Sequence, residues 1–228
     1  MNCRALPVLG VLMVGATLVL AAPAAAATTA AGGAAPMGTC QTNGVVRSIL
    51  YLNGVTYLGG NFTRVRQPGS SGPGANRPFL AACSTATGRV LPWNPGANAE
   101  VFGLGTNGRR IYVGGRFTKL AGHARSHIGA VTTAGVLSTW NPGANGPVYV
   151  VRVSPNNHVF AGGKFTRIGG ISRIHLAQLT ADGGVLPWDV RVGQVGGFAC
   201  PPRCAPVVFT IAFAGSSVYI GGTSGDAT

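Results

Sequence analysis

Acidic side chains are nearly missing. Glu100, Asp182, Asp189 and Asp226 are the only carboxylates, against 17 lysines and arginines. A glycosidase of the usual two-carboxylate kind needs a matched acid pair. No pair of these four recurs at a common place. Asp182 sits beside Gly183 in a turn, Asp189 stands where two other copies of a motif have Asn, and Asp226 is near the end. Other catalytic signatures are absent too. His123, His127, His158 and His175 form no H-E-x-x-H, and there is no G-x-S-x-G and no phosphate-cradling P-loop. No enzyme activity and no cofactor are expected. His127 and His175 occupy equivalent repeat positions and read as strand-surface residues rather than metal ligands.

Long apolar runs are missing outside the N-terminus. There, Arg4 precedes the apolar stretch from Ala5 to Ala21, and Ala22 to Ala27 offers several A-x-A cleavage choices. This reads as a signal peptide over residues 1–27, with a retained anchor as the alternative. Cys3 lies too early for a lipid-anchored cysteine, and the Met-Gly-Thr before Cys40 is not a lipobox. Residues 28–44 read as an Ala/Gly-rich spacer. The expected localisation is secreted, with no membrane span after cleavage.

Cysteines are few. Beyond the signal they are Cys40, Cys83, Cys200 and Cys204. An even count in a secreted chain reads as two disulfides with three connectivities. Cys200–Cys204 across Pro-Pro-Arg and Cys40–Cys83 are favoured. A zinc site is the alternative, with no His or second C-x2-C near either pair.

Glycine is plentiful, at 37 residues, and part of it is periodic. Gly-Gly-x-Phe-Thr occurs at 59–63, 114–118 and 162–166, and a degenerate GGTSG starts at Gly221. A second motif keeps step: LPWNPGAN at 91–98, STWNPGAN at 138–145 and LPWDV at 186–190. Gly114 and Gly162 stand 48 residues apart. The spacings from Gly59 to Gly114 and from Gly162 to Gly221 are 55 and 59. The first excess falls in QPGSSGPGAN (67–76), the second between Trp188 and Val207.

Each unit reads as four strands. An apolar run (Val45–Leu52, Val101–Thr106, Val148–Ser154, Val207–Ala214) leads to a tight turn. The turns are Asn53-Gly54, Asn107-Gly108, Asn156-Asn157 and Gly215-Ser216. Asn-Gly favours a hairpin with positive φ at both central residues. A second strand ends in the Gly pair, which marks a bulge or a close backbone approach. Phe62, Phe117 and Phe165 then return to the core. A third strand follows Arg77, Arg125 or Arg173, and a fourth ends at Trp93, Trp140 or Trp188. The Asn-Phe-Thr at 61–63 matches a glycosylation sequon but is simply the motif.

Four short strands per 48 residues predict an all-β chain, a β-propeller of four-stranded blades. The blades run over residues 45–97, 100–145 and 147–192, with a partial one over 207–228. About three and a half blades leave the ring incomplete. An oligomer or further blades would be needed to close it.

These motifs, with RxxLA at Arg77 to Ala81 and Arg173 to Ala177 (RSHIG in the middle copy), resemble the secreted bacterial GGxFT β-propeller repeats. Those are grouped with the delta-sixty type repeats of unknown function, and the fungal cortical cell-polarity markers carry a similar phrase. The resemblance covers residues 45–228. It implies a secreted or surface propeller, often joined to other modules, with no catalytic residues to carry over.

One charge pattern is phased. A basic residue follows each full motif (Arg64, Lys119, Arg167), and another precedes the third strand (Arg77, Arg125, Arg173). On a propeller these six would form a rim for an anionic ligand. The other reading is that each arginine hydrogen-bonds loop carbonyls or covers a Trp. A net charge of +13 suits an anionic polysaccharide or cell-wall polymer. Nucleic acid is not expected for a secreted chain. The function expected is a binding, adhesion or scaffold module. The alternatives are the propeller portion of a larger secreted enzyme and a non-functional truncated copy.

Overall fold

The computed structural model describes residues 38–190 and 207–223. Among them there is no helix; every element is a strand, and every pairing is antiparallel. In chain order the first unit holds β1 (Gln41–Thr42), β2 (Val45–Leu52), β3 (Val55–Asn61), β4 (Arg64–Arg66), β5 (Ala75–Asn76) and β6 (Leu80–Ser84). The second holds β7 (Val101–Thr106), β8 (Arg110–Gly115), β9 (Lys119–Leu120), β10 (His123–Ala124) and β11 (Ile128–Thr132). The third holds β12 (Val148–Val153), β13 (Val159–Gly163), β14 (Arg167–Ile168), β15 (Ile171–Ser172) and β16 (Leu176–Leu179). The hairpin β17 (Val207–Ala214) and β18 (Ser217–Thr223) follows.

Three sheets share one plan, β2-β3-β6, β7-β8-β11 and β12-β13-β16, and β17-β18 repeats its first two strands. The first strands β2, β7, β12 and β17 lie beside one another in that order. The sheets therefore stack face to face, and apolar residues fill each gap. Tyr57, Leu80 and Trp93 meet Val101, Leu104 and Val113 between the first two sheets. Tyr112, Ile128 and Trp140 meet Val148, Val151 and Ala161 between the next two. Val150 and Phe160 meet Val208 and Ile211 at the third gap. The tryptophans also tie neighbours together. Trp93 Nε1 donates to the Thr132 carbonyl at 3.2 Å, and Trp140 Nε1 to that of Thr180 at 3.3 Å. Each indole leaves its own sheet to reach the next.

That departure explains a difference from the expected four-stranded sheet. The fourth strand is reduced to one bridge per unit: Cys83↔Val90, Val131↔Leu137 and Leu179↔Val185. Leu91, Ser138 and Leu186 still donate to the third strand. Pro92 and Pro187 then lack the N–H to continue, and the chain turns so that the Trp packs edge-on against Tyr57, Tyr112 or Phe160.

A short outer hairpin in each unit was not foreseen. In β4–β5, Val65 pairs with Ala75, whereas Leu120 pairs with His123 in β9–β10. The extra length of the first repeat lies inside this hairpin's loop. The expected spacer over 28–44 also ends early, because β1 already pairs with β4. Cys40 is bonded to Cys83. Together with Leu58, Phe62 and Val65 the disulfide covers part of the first sheet's open face. On the same face, Ile49 occupies the position of the buried Leu104, Val151 and Ile211 and is 68 % exposed. The pairing expected for Cys200 and Cys204 lies outside the described residues.

The tight turns differ from one another. Asn53 and Gly54 both have positive φ, as expected for Asn-Gly. In the second unit only Gly108 does, and Asn107 Oδ1 instead accepts from the Arg109 and Arg110 amides. The longer third turn uses Asn157, and the last uses Gly215.

Candidate functional site

Each fixed residue of Gly-Gly-x-Phe-Thr has a distinct mechanical task, and together they decide what reaches the surface. The first glycine lets the next sheet approach. A Cβ on Gly59 would lie 2.6 Å from Val101 Cγ1, one on Gly114 2.8 Å from Val148 Cγ1, and one on Gly162 2.5 Å from Val208 Cγ1. The second glycine faces its own first strand. A Cβ on Gly60, Gly115, Gly163 or Gly222 would collide with the carbonyl oxygen of Val45, Glu100, Pro147 or Val207. That strand bulges at this point in all four copies, with register shifts at Val46/Ser48, Val101/Gly103, Val148/Val150 and Val208/Thr210. The sequence reading allowed a bulge or a close approach; one glycine serves each.

The phenylalanine is core. Phe62, Phe117 and Phe165 are at most 2 % exposed, and burying each contributes about 1.5–3 kcal/mol. The threonine is held by the last Asn of the preceding WNPGAN. Asn98 Oδ1 accepts from the Thr118 and Lys119 amides at 2.9 and 2.8 Å, while its Nδ2 donates to Thr118 Oγ1 at 2.9 Å. Asn145 does the same for Thr166 and Arg167, and Asn43 for Thr63 and Arg64. The two motifs keep step because the end of one clasps the end of the other.

The clasp presents the basic residue that follows. Arg64, Lys119 and Arg167 are all exposed at equivalent places in three successive units. Arg167 Nη2 donates to the Gly170 carbonyl at 2.7 Å, and Arg64 reaches that of Gly74 at 3.4 Å. Arg64 also lines a cleft of about 270 Å³ with Arg66, Asn43 and Pro73. Among the described residues the one ion pair is Arg47–Glu100. Among the described residues no carboxylate therefore neutralises this row.

Arg77, Arg125 and Arg173 belong to a different structure. Each is half-buried, and each donates one Nη to the carbonyl just before it and the other to the short fourth edge. Those second acceptors are Leu91, Ser138 and Leu186, at 2.8–2.9 Å. The three guanidinium groups lock the third strand to the edge, as in the loop-carbonyl reading of these arginines. The structure thus splits the six predicted cations into an exposed row and an internal row.

Two residues on, Phe79, His127 and His175 adopt positive φ of 64–65°. The histidines were expected on a strand surface; instead His175 is 7 % exposed and His127 half-buried, just before the third strand. The Nδ1 of each is buried without a partner. Burial lowers both below the ordinary value of 6.5, although hydrogen bonds with Gly115 and Gly163 act the other way. Lys164 adds to the lowering at His175. A lowered folded-state value means the unfolded chain binds more protons, so stability falls with decreasing pH. The loss is expected to begin as pH drops below about 6.5. Denaturant midpoints at pH 7.5 and 5 measure it. The double variant His127→Phe/His175→Phe copies the first unit's own residue and is expected to flatten that dependence. Among the described residues no cluster of His, Cys, Asp and Glu could hold a metal ion.

The bulges also expose side chains that the alternation pattern did not identify. The residue left unpaired in each first strand is Arg47, Phe102, Tyr149 or Phe209. Three of them pack in a line across the sheets. Ring centroids are 4.9 Å apart for Phe102–Tyr149 and 5.3 Å for Tyr149–Phe209. The variable residue of the second motif, Arg116, lies over Phe102 at 5.6 Å.

No protein-family model matches the chain, and no curated protein does. Among solved structures it is similar to the extracellular domain of a hybrid two-component system from B. thetaiotaomicron. The two are 12 % identical with a TM-score of 0.45, over 82 % of this chain and 27 % of that one. A likeness this distant identifies no shared activity.

Proposed function

We propose that the chain is a secreted, propeller-type repeat protein that binds an anionic polymer of the cell wall or extracellular matrix without chemistry of its own. The observation that carries this reading is the row Arg64, Lys119 and Arg167, exposed at one position in three successive units. A row of like charge on a repeating scaffold suits a ligand that also repeats its charge. The stacking of similar sheets through their first strands supports a propeller arc, which further blades or a second copy would close. The resemblance to GGxFT propeller repeats points the same way. The Cys40–Cys83 disulfide belongs to an oxidising compartment.

Retention of the purified protein on immobilised polygalacturonate and polyphosphate tests the proposal. The triple variant R64Q/K119Q/R167Q is expected to elute from both at clearly lower salt. Its Tm should stay close to that of the parent, because exposed substitutions usually change stability by within about 0.5 kcal/mol. Unchanged retention would overturn the proposal.

A further inference from the structure

The aromatic line on the bulges has no explanation in the packing of the core. Phe102 and Tyr149 are half-buried, and Phe209 is 51 % exposed. A bulge re-aims one side chain and strengthens the local twist. Here four bulges in register do so on four neighbouring strands, and three of the re-aimed residues are aromatic. A contiguous aromatic band that reaches the surface is a binding feature more often than a structural one.

Cations flank the band. Arg116 stands over Phe102. Lys164 fills the same motif position in the next unit, with its amide donating to Pro147 as that of Arg116 donates to Glu100. Both are exposed. Arg47, at the bulge of the first sheet, is paired with Glu100 at 2.9 Å. Arg116 and Lys164 have no carboxylate partner among the described residues, and they come from the same loops that present Lys119 and Arg167. Band and exposed row share the GGxFT joint.

We infer that this band is a stacking platform for the sugar rings of an acidic polysaccharide, a uronate polymer, whose carboxylates meet Arg116 and Lys164. This rests on the reading above that the chain binds an anionic polymer, and it names the class. A pyranose ring has an apolar C–H face for Phe102, Tyr149 and Phe209 to cover. A uronate places one negative charge on each such ring, matching aromatic and cationic residues set side by side. A phosphate polymer offers the charge without the apolar face.

Titration of the full chain with three probes tests this: polygalacturonate, polyphosphate and single-stranded oligothymidylate. The double variant Y149A/F209A is expected to bind polygalacturonate about tenfold more weakly. Its affinity for polyphosphate should stay within about twofold. Phe209→Ala alone removes an exposed side chain and should show the same selective loss if the double variant folds poorly. Equal loss for both polymers, or none for polygalacturonate, would overturn the inference and leave the anionic-polymer reading standing. Tighter binding of oligothymidylate than of polygalacturonate, lost in the double variant, would assign the band to nucleic-acid bases and overturn the inference. A parent protein that binds neither acidic polymer would overturn both readings.

Discussion

Gly115→Ala is expected to cost more than about 4 kcal/mol, or to prevent folding outright. No side chain needs to be lost for this. An alanine Cβ at Gly115 collides with the Glu100 carbonyl oxygen, and the next atoms are Phe117 Cδ1 at 2.9 Å and Val101 Cα at 3.1 Å. The oxygen cannot withdraw without undoing the bulge, because it accepts the Arg116 amide. Gly115 does not have positive φ, so the cost is steric rather than conformational. Its neighbour provides the control. A Cβ at Gly114 meets the side chains of Val148 and Val151 at 2.8 Å and the Val148 carbonyl at 3.1 Å. Side chains can shift by small amounts, so Gly114→Ala should cost less, about 1–3 kcal/mol as for other overpacked positions. Urea unfolding of the two variants side by side gives the comparison. Gly115→Ala within 1 kcal/mol of the parent would mean that the bulge tolerates a side chain there.

Phe117→Ala is expected to destabilise by about 3–5 kcal/mol. The ring is fully buried with Trp93, Val101, Leu104 and Leu120, where two sheets and an outer hairpin converge. Removing it opens a cavity at a joint whose backbone is fixed on both sides. His127 N donates to the Phe117 carbonyl at 2.8 Å, and the Asn98 clasp holds the next two amides. The site therefore has little freedom to collapse. Set against a typical domain stability of about 5–15 kcal/mol, a single such loss removes a large share. Calorimetric melting of Phe117→Ala reads it directly.

The repeat, its strands and its buried phenylalanines were legible in the sequence because each follows from local pattern. Gly-Gly-x-Phe-Thr combines absent side chains, one large apolar residue and a fixed spacing, and copying it in phase makes the pattern visible. The bulge residues were not legible for a physical reason. A bulge inserts one residue and breaks the period of two, so Phe102 and Tyr149 fall outside any inward or outward alternation. Their meeting is a contact between repeats, which spacing within one repeat does not encode. The clasp was hidden similarly: Asn98 closes one motif in the sequence yet serves Thr118 of the next unit. The basic residues were legible as charge and phase alone. Whether a guanidinium is drawn in to bridge two strands, as in Arg125, or stays exposed over its own outer hairpin, as in Arg64, depends on the edge folded beside it. The fourth strand was overextended because Trp140 looks like a strand end until its indole is seen to reach Thr180.

The measurement that bears most directly on the functional reading is the salt dependence of polygalacturonate binding, in the parent and in R64Q/K119Q/R167Q. If a row of exposed cations holds the polymer, affinity should fall steadily with added salt as counterions compete for both partners. Removing three of those cations should make that dependence clearly shallower and the binding weaker at every salt concentration. Binding that does not respond to salt, or an equally steep dependence in the triple variant, would contradict it.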